Sequence, residues 1–239
     1  MAVDQALLER AADGIPALRL YGWAVPTLSL GYFQAWADRE RHPPSVACPA
    51  VRRWSGGGAI VHDAELTYSL VVPQAQRWGP AAERLYPLIH GTLIDALAGC
   101  GVTARSWTPA RALEGPSDVE GGVPFLCFQR RSEGDLVIGP HKVVGSAQRR
   151  LRGAVLQHGS ILWRRSPCAP ELPGIADLSE WDAERAEEAR GQFTADWLAL
   201  LARTLGVRWE PAELGDELRH VAARIETDRF GSPAWTEKR

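Results

Sequence analysis

Residues 51–63 have the sequence VRRWSGGGAIVHD. Three consecutive glycines let a backbone approach a ligand closely and adopt positive φ where a turn needs it. Successive backbone N–H groups in such a turn form a concavity for anions, and the two arginines carry planar guanidinium groups suited to phosphate or carboxylate. A glycine run is more often a simple tight turn, and no Gly-Lys-Ser/Thr follows as in a P-loop. The stretch favours a site for an anionic or carbonyl-bearing ligand.

Strand-like runs lie on both sides of this stretch. Alternating or β-branched segments predict strands at 18–23, 27–33, 50–54, 59–61, 67–72, 102–107, 125–128, 136–138, 142–145 and 155–163. Apolar periodicity and terminal signals predict helices at 2–12, 80–98, 183–205 and 211–229. Strands occur in runs instead of alternating strictly with helices. We therefore predict an α+β fold, with a mixed or antiparallel sheet core flanked by helices.

The composition excludes several classes of protein. The chain has 239 residues, 45% of them hydrophobic and 23% charged, and we expect one catalytic domain over 1–239. A net charge of −2 gives no reason to expect nucleic acid or an anionic membrane as partner. No apolar run approaches the roughly 18 residues of a membrane span. Four scattered cysteines without a C-x-x-C pair predict neither a metal site nor disulfides, and so favour a cytoplasmic protein.

A second dense stretch follows at 142–150, KVVGSAQRR, and 156–162, LQHGSIL. A lysine between apolar strand residues can act as an acid, a base or a charge clamp when it is partly buried. A strand lysine is more often a solvated edge residue. The residues alone leave both interpretations of Lys142 open.

The motifs RRWSGGGAIVHD, KVVGSAQRR and LQHGSIL, in this order, resemble those of the lipoate–protein ligase A and octanoyltransferase family. The opening MAVDQALL and the closing RFGSPAWTEKR are also similar to that family, so the resemblance covers the whole chain. It implies a catalytic domain like that of biotin and lipoate protein ligases. Such enzymes attach lipoyl or octanoyl groups to the ε-amine of a lysine on a small carrier domain.

The resemblance also implies roles for particular residues. The catalytic or carbonyl-contacting lysine of the family falls on Lys142. Residues expected to bind the acyl group or to line its pocket are Arg53, Gly56, Gly57, Gly58, His62, Gly145, Ser146, Ala147, His158 and Gly159.

Cys127 bears on the choice between two mechanisms that share this scaffold. The cysteine-dependent octanoyltransferases of the family carry Cys-Phe in the corresponding region, and this chain is similar to them. A neighbouring lysine ammonium would favour the thiolate, which would attack an octanoyl thioester while backbone N–H groups near 145–147 hold the oxyanion. Free cysteine is also a common buried packing residue, which is how we interpret the other three cysteines, Cys48, Cys100 and Cys168.

The expected donor is octanoyl-acyl carrier protein. The expected acceptor is a lipoyl carrier domain, from the glycine cleavage H protein or a dehydrogenase E2 subunit. We expect a monomer that needs no cofactor and no accessory C-terminal domain, with a lid at 108–124. The alternatives are a lipoate ligase, or half of a split one, needing ATP and Mg²⁺; an octanoyl amidotransferase between carrier domains; and a non-catalytic module that only binds the acyl group or its carrier.

Overall fold

The computed structural model describes residues 1–11, 14, 16–73, 84–108 and 123–239. The strands within these residues are β1 (Ala17–Tyr21), β2 (Thr27–Leu30), β3 (Ala50–Arg52), β4 (Ile60–His62), β5 (Glu65–Pro73), β6 (Arg105–Ser106), β7 (Leu136–Ile138), β8 (His141–Leu151) and β9 (Ala154–Leu162). The α-helices are α1 (Ala2–Arg10), α2 (Leu85–Gly99), α3 (Ile175–Leu178), α4 (Ala183–Leu205), α5 (Asp216–Ile225) and α6 (Pro233–Thr236). In this part of the chain, no helix is long and apolar enough to span a bilayer.

Two sheets form the scaffold. The larger has the order β1-β5-β9-β8-β7-β6, and every neighbouring pair is antiparallel. The smaller has the order β3-β2-β4, in which β2 is parallel to β3 and antiparallel to β4. One antiparallel and one mixed sheet with helices around them confirm the predicted α+β fold.

Helices cover both faces of the larger sheet because its strands alternate apolar side chains between faces. Tyr68 and Leu70 of β5 belong to the core beneath α2 and α4, whereas Val71 packs with α1 and α5 on the other face. α4 presents Phe193 and Trp197 to the first core at a spacing of four residues. Truncation of so large a buried aromatic side chain costs about 3–5 kcal/mol, so this face fixes the sheet that carries the site.

Capping signals explain why α4 spans the predicted 183–205. The side chain of Asp182 accepts a hydrogen bond from the backbone N–H of Arg185 at the first turn. Gly206 ends the helix in the left-handed conformation, with φ of 60°. Both residues have the identities that helix ends favour, so sequence alone located this helix.

Other boundaries differ from the prediction. The helix expected over 80–98 begins at Leu85, and the strand expected over 102–107 is reduced to Arg105–Ser106. The segment 125–128, predicted as a strand, is instead a bridge at Leu126 followed by a 3₁₀ turn over Cys127–Gln129. Its apolar residues fill a core without continuing a ladder. Of the predicted lid at 108–124, residues 109–122 lie outside the described residues.

Candidate active site

The turn that carries Cys127 is hydrogen-bonded through its backbone to the end of the glycine stretch. The backbone N–H of Ala59 donates to the Phe125 carbonyl at 2.9 Å, and the N–H of Cys127 donates to the Ala59 carbonyl at 2.7 Å. A Cβ on Gly58 would lie 2.9 Å from the Cys127 nitrogen, so only glycine permits this approach. The two sequence motifs thus meet through backbone, and the N–H of Cys127 is engaged in the scaffold.

The Lys142 ammonium lies close to the Cys127 thiol. Its Nζ lies 3.8 Å from Cys127 Sγ, 2.8 Å from Asp135 Oδ2 and 5.2 Å from the centre of the Phe128 ring. A β-bulge beside Val137 interrupts the β7–β8 register at this point, and bulges near active sites redirect side chains. A thiol beside a buried lysine side chain is placed to act as a nucleophile.

Asp135 is the buried counter-ion that sequence reasoning missed. The side chains of Asp135 and Lys142 are 3% and 4% exposed. Asp135 also accepts hydrogen bonds from the backbone N–H of Ser132 at 2.6 Å and from the Tyr86 hydroxyl at 3.3 Å. A buried ion pair is stable only when its remaining polar atoms are satisfied, and these two donors meet that condition. Asp135 therefore holds the Lys142 side chain in place.

Gly145 provides the space in which the Lys142 side chain lies. A Cβ at this position would lie 2.6 Å from Cε and 2.9 Å from Nζ of Lys142. Because Nζ is tied to Asp135, the lysine can yield only by moving away from Asp135 or from Cys127. The absence of a side chain at Gly145 thus allows Lys142 to keep its position relative to both Cys127 and Asp135.

We predict that Gly145→Ala slows acylation of Cys127 by about 10- to 100-fold, because misplacement by about 1 Å can cost 10²-fold. Single-turnover acylation followed by mass spectrometry measures the rate. Gly191→Ala on α4 is the matched control, since nothing lies within 4 Å of a Cβ there, and it should leave the rate unchanged. Acylation of the Gly145→Ala variant at the wild-type rate would show that the pair tolerates displacement.

Arg53 has a different immediate role from the anion contact expected of it. Its Nη1 donates to the Ser29 carbonyl at 2.8 Å, and its Nη2 donates to the Gly56 and Gly58 carbonyls at 2.9 and 2.5 Å. Burial lowers the pKa of the guanidinium to about 10, which leaves it charged at neutral pH. Arg53 thus organises the glycine turn and places a second positive charge near Cys127.

A cavity of about 330 Å³ opens onto Cys127 and Lys142. Eleven of the twelve sequence-predicted site residues line it, and Gly58, behind the cysteine turn, is the exception. The eleven are Arg53, Gly56, Gly57, His62, Cys127, Lys142, Gly145, Ser146, Ala147, His158 and Gly159. The other three cysteines are not among the described residues that line it. The predicted residues therefore share one chamber.

His62 forms part of the cavity wall together with Trp23. The two rings stack with centroids 4.2 Å apart and planes 11° apart. The Nδ1 atom of His62 is hydrogen-bonded to Glu65, which also accepts from the Thr67 hydroxyl at 2.7 Å. These contacts fix the ring, so His62 is suited to shape the cavity.

The predicted His-Gly element lies on β9 opposite the KVVGSAQ strand. His158 pairs with Ala147 and Gly159 with Ser146 across the ladder. Burial lowers the pKa of His158 to about 4, so the ring is neutral near pH 7, and its Nε2 lies 2.9 Å from Ser55 Oγ. Both residues line the cavity.

His90 of α2 is a second residue that sequence reasoning missed. Its Nδ1 lies 2.6 Å from the Gly134 carbonyl and its Nε2 lies 2.7 Å from Ser146 Oγ. A carbonyl only accepts, so Nδ1 carries the proton and Nε2 accepts from the Ser146 hydroxyl. Burial lowers the pKa of His90 to about 4, which keeps this neutral tautomer near pH 7. His90 thereby ties β8 to the segment that carries Asp135.

A nucleophilic thiol beside a buried lysine at the edge of a cavity can accept and release an acyl group. The described residues contain no group of three His, Cys, Asp or Glu placed to hold a metal ion.

Solved structures of lipoate protein ligases have a similar fold. A lipoate-protein ligase A bound with ATP has a TM-score of 0.71 at 18% identity, covering 99% of this chain and 92% of that chain. A bipartite lipoate protein ligase from Thermoplasma acidophilum has a TM-score of 0.67 at 18% identity, covering 99% and 89%. At these identities the similarity establishes the fold alone.

Sequence comparison goes further. An octanoyltransferase LipM from Kyrpidia tusciae is 35% identical over 254 residues, covering 94% of this chain and 89% of the relative. An octanoyltransferase LipM from Staphylococcus epidermidis is 36% identical over 262 residues, covering 98% and 92%. The family profile for the lipoyl protein ligase A/B catalytic domain matches residues 1–169. Because that match spans more than half of the sequence, the chain belongs to the lipoyl protein ligase A/B catalytic domain family.

Proposed function

We propose that this protein is an octanoyltransferase that holds the octanoyl group on Cys127 before passing it to a lysine of a lipoyl domain. The similarity to octanoyltransferases over most of the chain supports the activity. The observation that supports the covalent route is the 3.8 Å contact between Cys127 Sγ and Lys142 Nζ at the cavity. An enzyme that works only through an acyl-adenylate does not need a thiol there.

In the first step the Cys127 thiolate attacks the carbonyl carbon of the octanoyl thioester. The new Sγ–C bond forms as the bond from the carbonyl carbon to the donor sulfur breaks. The departing thiolate takes a proton from the Lys142 ammonium, so the donor leaves as a neutral thiol. While the carbonyl oxygen carries negative charge, the ammonium beside it offsets that charge.

In the second step the neutral ε-amine of the acceptor lysine attacks the acyl-enzyme. The C–N bond forms, the bond from Sγ to carbon breaks, and the amine proton moves to Lys142. The thiolate and ammonium are thereby restored together. Asp135, 2.8 Å from Nζ, holds the Lys142 amine where it can receive this proton.

We propose octanoyl-acyl carrier protein as the donor, and the lipoyl domain of a glycine cleavage H protein or a dehydrogenase E2 subunit as the acceptor. We also propose that the chain acts as a single catalytic domain and a monomer. A thiol nucleophile must stay reduced, which fits a cytoplasmic location.

The test is intact-mass spectrometry of the protein mixed with octanoyl-acyl carrier protein, without ATP. We expect a gain of one octanoyl group that hydroxylamine removes, as it does from a thioester, and that is lost again when a lipoyl domain is added. No adduct, with modification of the lipoyl domain appearing only on addition of ATP and lipoate, would instead identify a ligase. An adduct that forms only from an octanoylated carrier domain would identify an amidotransferase.

A further inference from the structure

A second cavity of about 340 Å³ adjoins the catalytic one. The two share Gly56, and a Cβ on the next residue, Gly57, would lie 3.8 Å from Cys127 Sγ. The second cavity therefore borders the same glycine stretch that lies beside the nucleophile. Its lining is aromatic, polar and cationic: Tyr32, Phe33, Trp54, Ser55, Gly56, Gln148, Arg149, Arg229 and Trp235.

The charge in this cavity is entirely positive. Arg149 and Arg229 are both part of its lining, and the described lining residues include no carboxylate. Neither guanidinium lies within ion-pair distance of a carboxylate elsewhere in the described chain. Arg229 donates to the neutral side chain of Gln5 at 2.8 Å. Two clustered guanidiniums without counter-ions produce a local potential that attracts anions.

Aromatic rings hold these arginines without neutralising them. The guanidinium carbons of Arg149 and Arg229 lie 5.3 and 5.9 Å from the ring centre of Trp54, and Arg229 lies 5.0 Å from that of Trp235. Trp54 is 6% exposed and packs edge-on against Phe230 at 6.4 Å, so it is a fixed support. Cation–π contacts orient the guanidiniums and leave their N–H groups available for a ligand.

We propose that this second cavity binds the phosphate group of the phosphopantetheine arm that presents the octanoyl thioester. The inference rests on the proposed function, because a thioester donor must place its carbonyl at Cys127 while the rest of its arm lies outside the catalytic chamber. Planar guanidinium forks bind phosphate oxygens through paired hydrogen bonds, the strongest kind available to a protein. The acceptor's lysine side chain bears no anion. Arg149 and Arg229 therefore affect the acylation of Cys127 by the donor and not the later transfer to the acceptor lysine.

The experiment compares two small donors that differ only in the phosphate: octanoyl-pantetheine and octanoyl-4′-phosphopantetheine. For the wild-type protein we expect kcat/KM for Cys127 acylation to be about tenfold higher with the phosphorylated donor. Arg149→Gln and Arg229→Gln should each reduce this ratio, and the double variant should bring it close to one. The rate with octanoyl-pantetheine should not change in any of them. Arg224→Gln on α5, outside both cavities, is the control and should keep the wild-type ratio.

Arg149 is exposed, so its substitution tests the site even where loss of Arg229 lowers stability, and thermal melting identifies any variant that is not folded. A ratio that is the same in the wild type, the Arg149→Gln variant and the control would overturn the proposal. So would an effect of Arg149→Gln confined to ATP-dependent acylation, because the phosphate bound there would belong to a nucleotide. Failure of both donors to acylate the wild type would instead count against the proposed function.

Discussion

Cys127→Ser is expected to reduce octanoyl transfer by at least about 10³-fold, because loss of the nucleophile in covalent catalysis costs several orders of magnitude. A serine hydroxyl is a far weaker nucleophile than a cysteine thiol at neutral pH. Intact mass after mixing with octanoyl-acyl carrier protein should show no adduct, and transfer to a lipoyl domain should fall to the background rate. Among the described residues, Cys127 Sγ has one side-chain hydrogen-bond partner, Lys142 Nζ at 3.8 Å, so the free energy of unfolding should change by no more than about 1 kcal/mol.

Cys168→Ser is the matched control for this prediction. Cys168 is also a partly exposed free cysteine, but it is not part of the cavity lining. The variant should form the adduct and transfer octanoyl at the wild-type rate. Retention of transfer in Cys127→Ser would reduce Cys127 to a packing residue and remove the covalent route.

The sequence located the elements whose signals are local. α4 has an Asp cap, an apolar residue at every turn and a glycine after its last turn, and these fix both ends. β5 combines β-branched residues with an interior position in the larger sheet, so propensity and burial agree. The strand predicted for the segment around Cys127 was wrong for the opposite reason. Its apolar residues resemble a strand, but they are buried by a bridge to Ala59 and a 3₁₀ turn, and that partner is 67 residues earlier.

The motifs predicted a set of site residues but not the residues that hold them in place. The resemblance implied catalytic roles for Cys127 and Lys142, which stay predictions, and the fold brings the two side chains to 3.8 Å. Asp135 and His90 carry no spacing signal, because their partners come from separate elements that meet only in the folded chain. A motif marks the atoms that meet substrate, whereas the residues that orient those atoms are distributed through the fold.

Arg53 lines the cavity, but its guanidinium has a different role from the one that its sequence pattern suggested. The Arg-Gly pattern predicted that the guanidinium binds an anionic ligand. In the structure, Arg53 donates three hydrogen bonds to the backbone carbonyls of Ser29, Gly56 and Gly58. Glycine carbonyls in a tight turn point inward and need donors, since unpaired buried polar groups are costly. The proposed anion-binding residues are instead Arg149 and Arg229. The described residues that line their cavity include no carboxylate.

Lys142→Met is expected to lower acylation of Cys127 by about 10²- to 10³-fold, the effect of removing one charged group that stabilises a developing oxyanion. The substitution should also destabilise the fold. Asp135 is 3% exposed and 2.8 Å from Nζ, so the substitution leaves a buried carboxylate without its partner. Loss of one partner from a buried pair costs about 3–5 kcal/mol, which urea unfolding will measure.

The double variant Lys142→Met with Asp135→Asn separates catalysis from stability. Asparagine keeps an oxygen to accept from the Ser132 N–H and an amide group beside the Tyr86 hydroxyl, and it buries no charge. The double variant should therefore recover most of the free energy of unfolding lost in Lys142→Met while its acylation rate stays low. If the rate returned together with stability, Lys142 would be a structural residue and the proton transfers assigned to it would be wrong. If stability recovered and the rate did not, the ammonium itself would be what Cys127 requires, with Asp135 as the residue that keeps it in place.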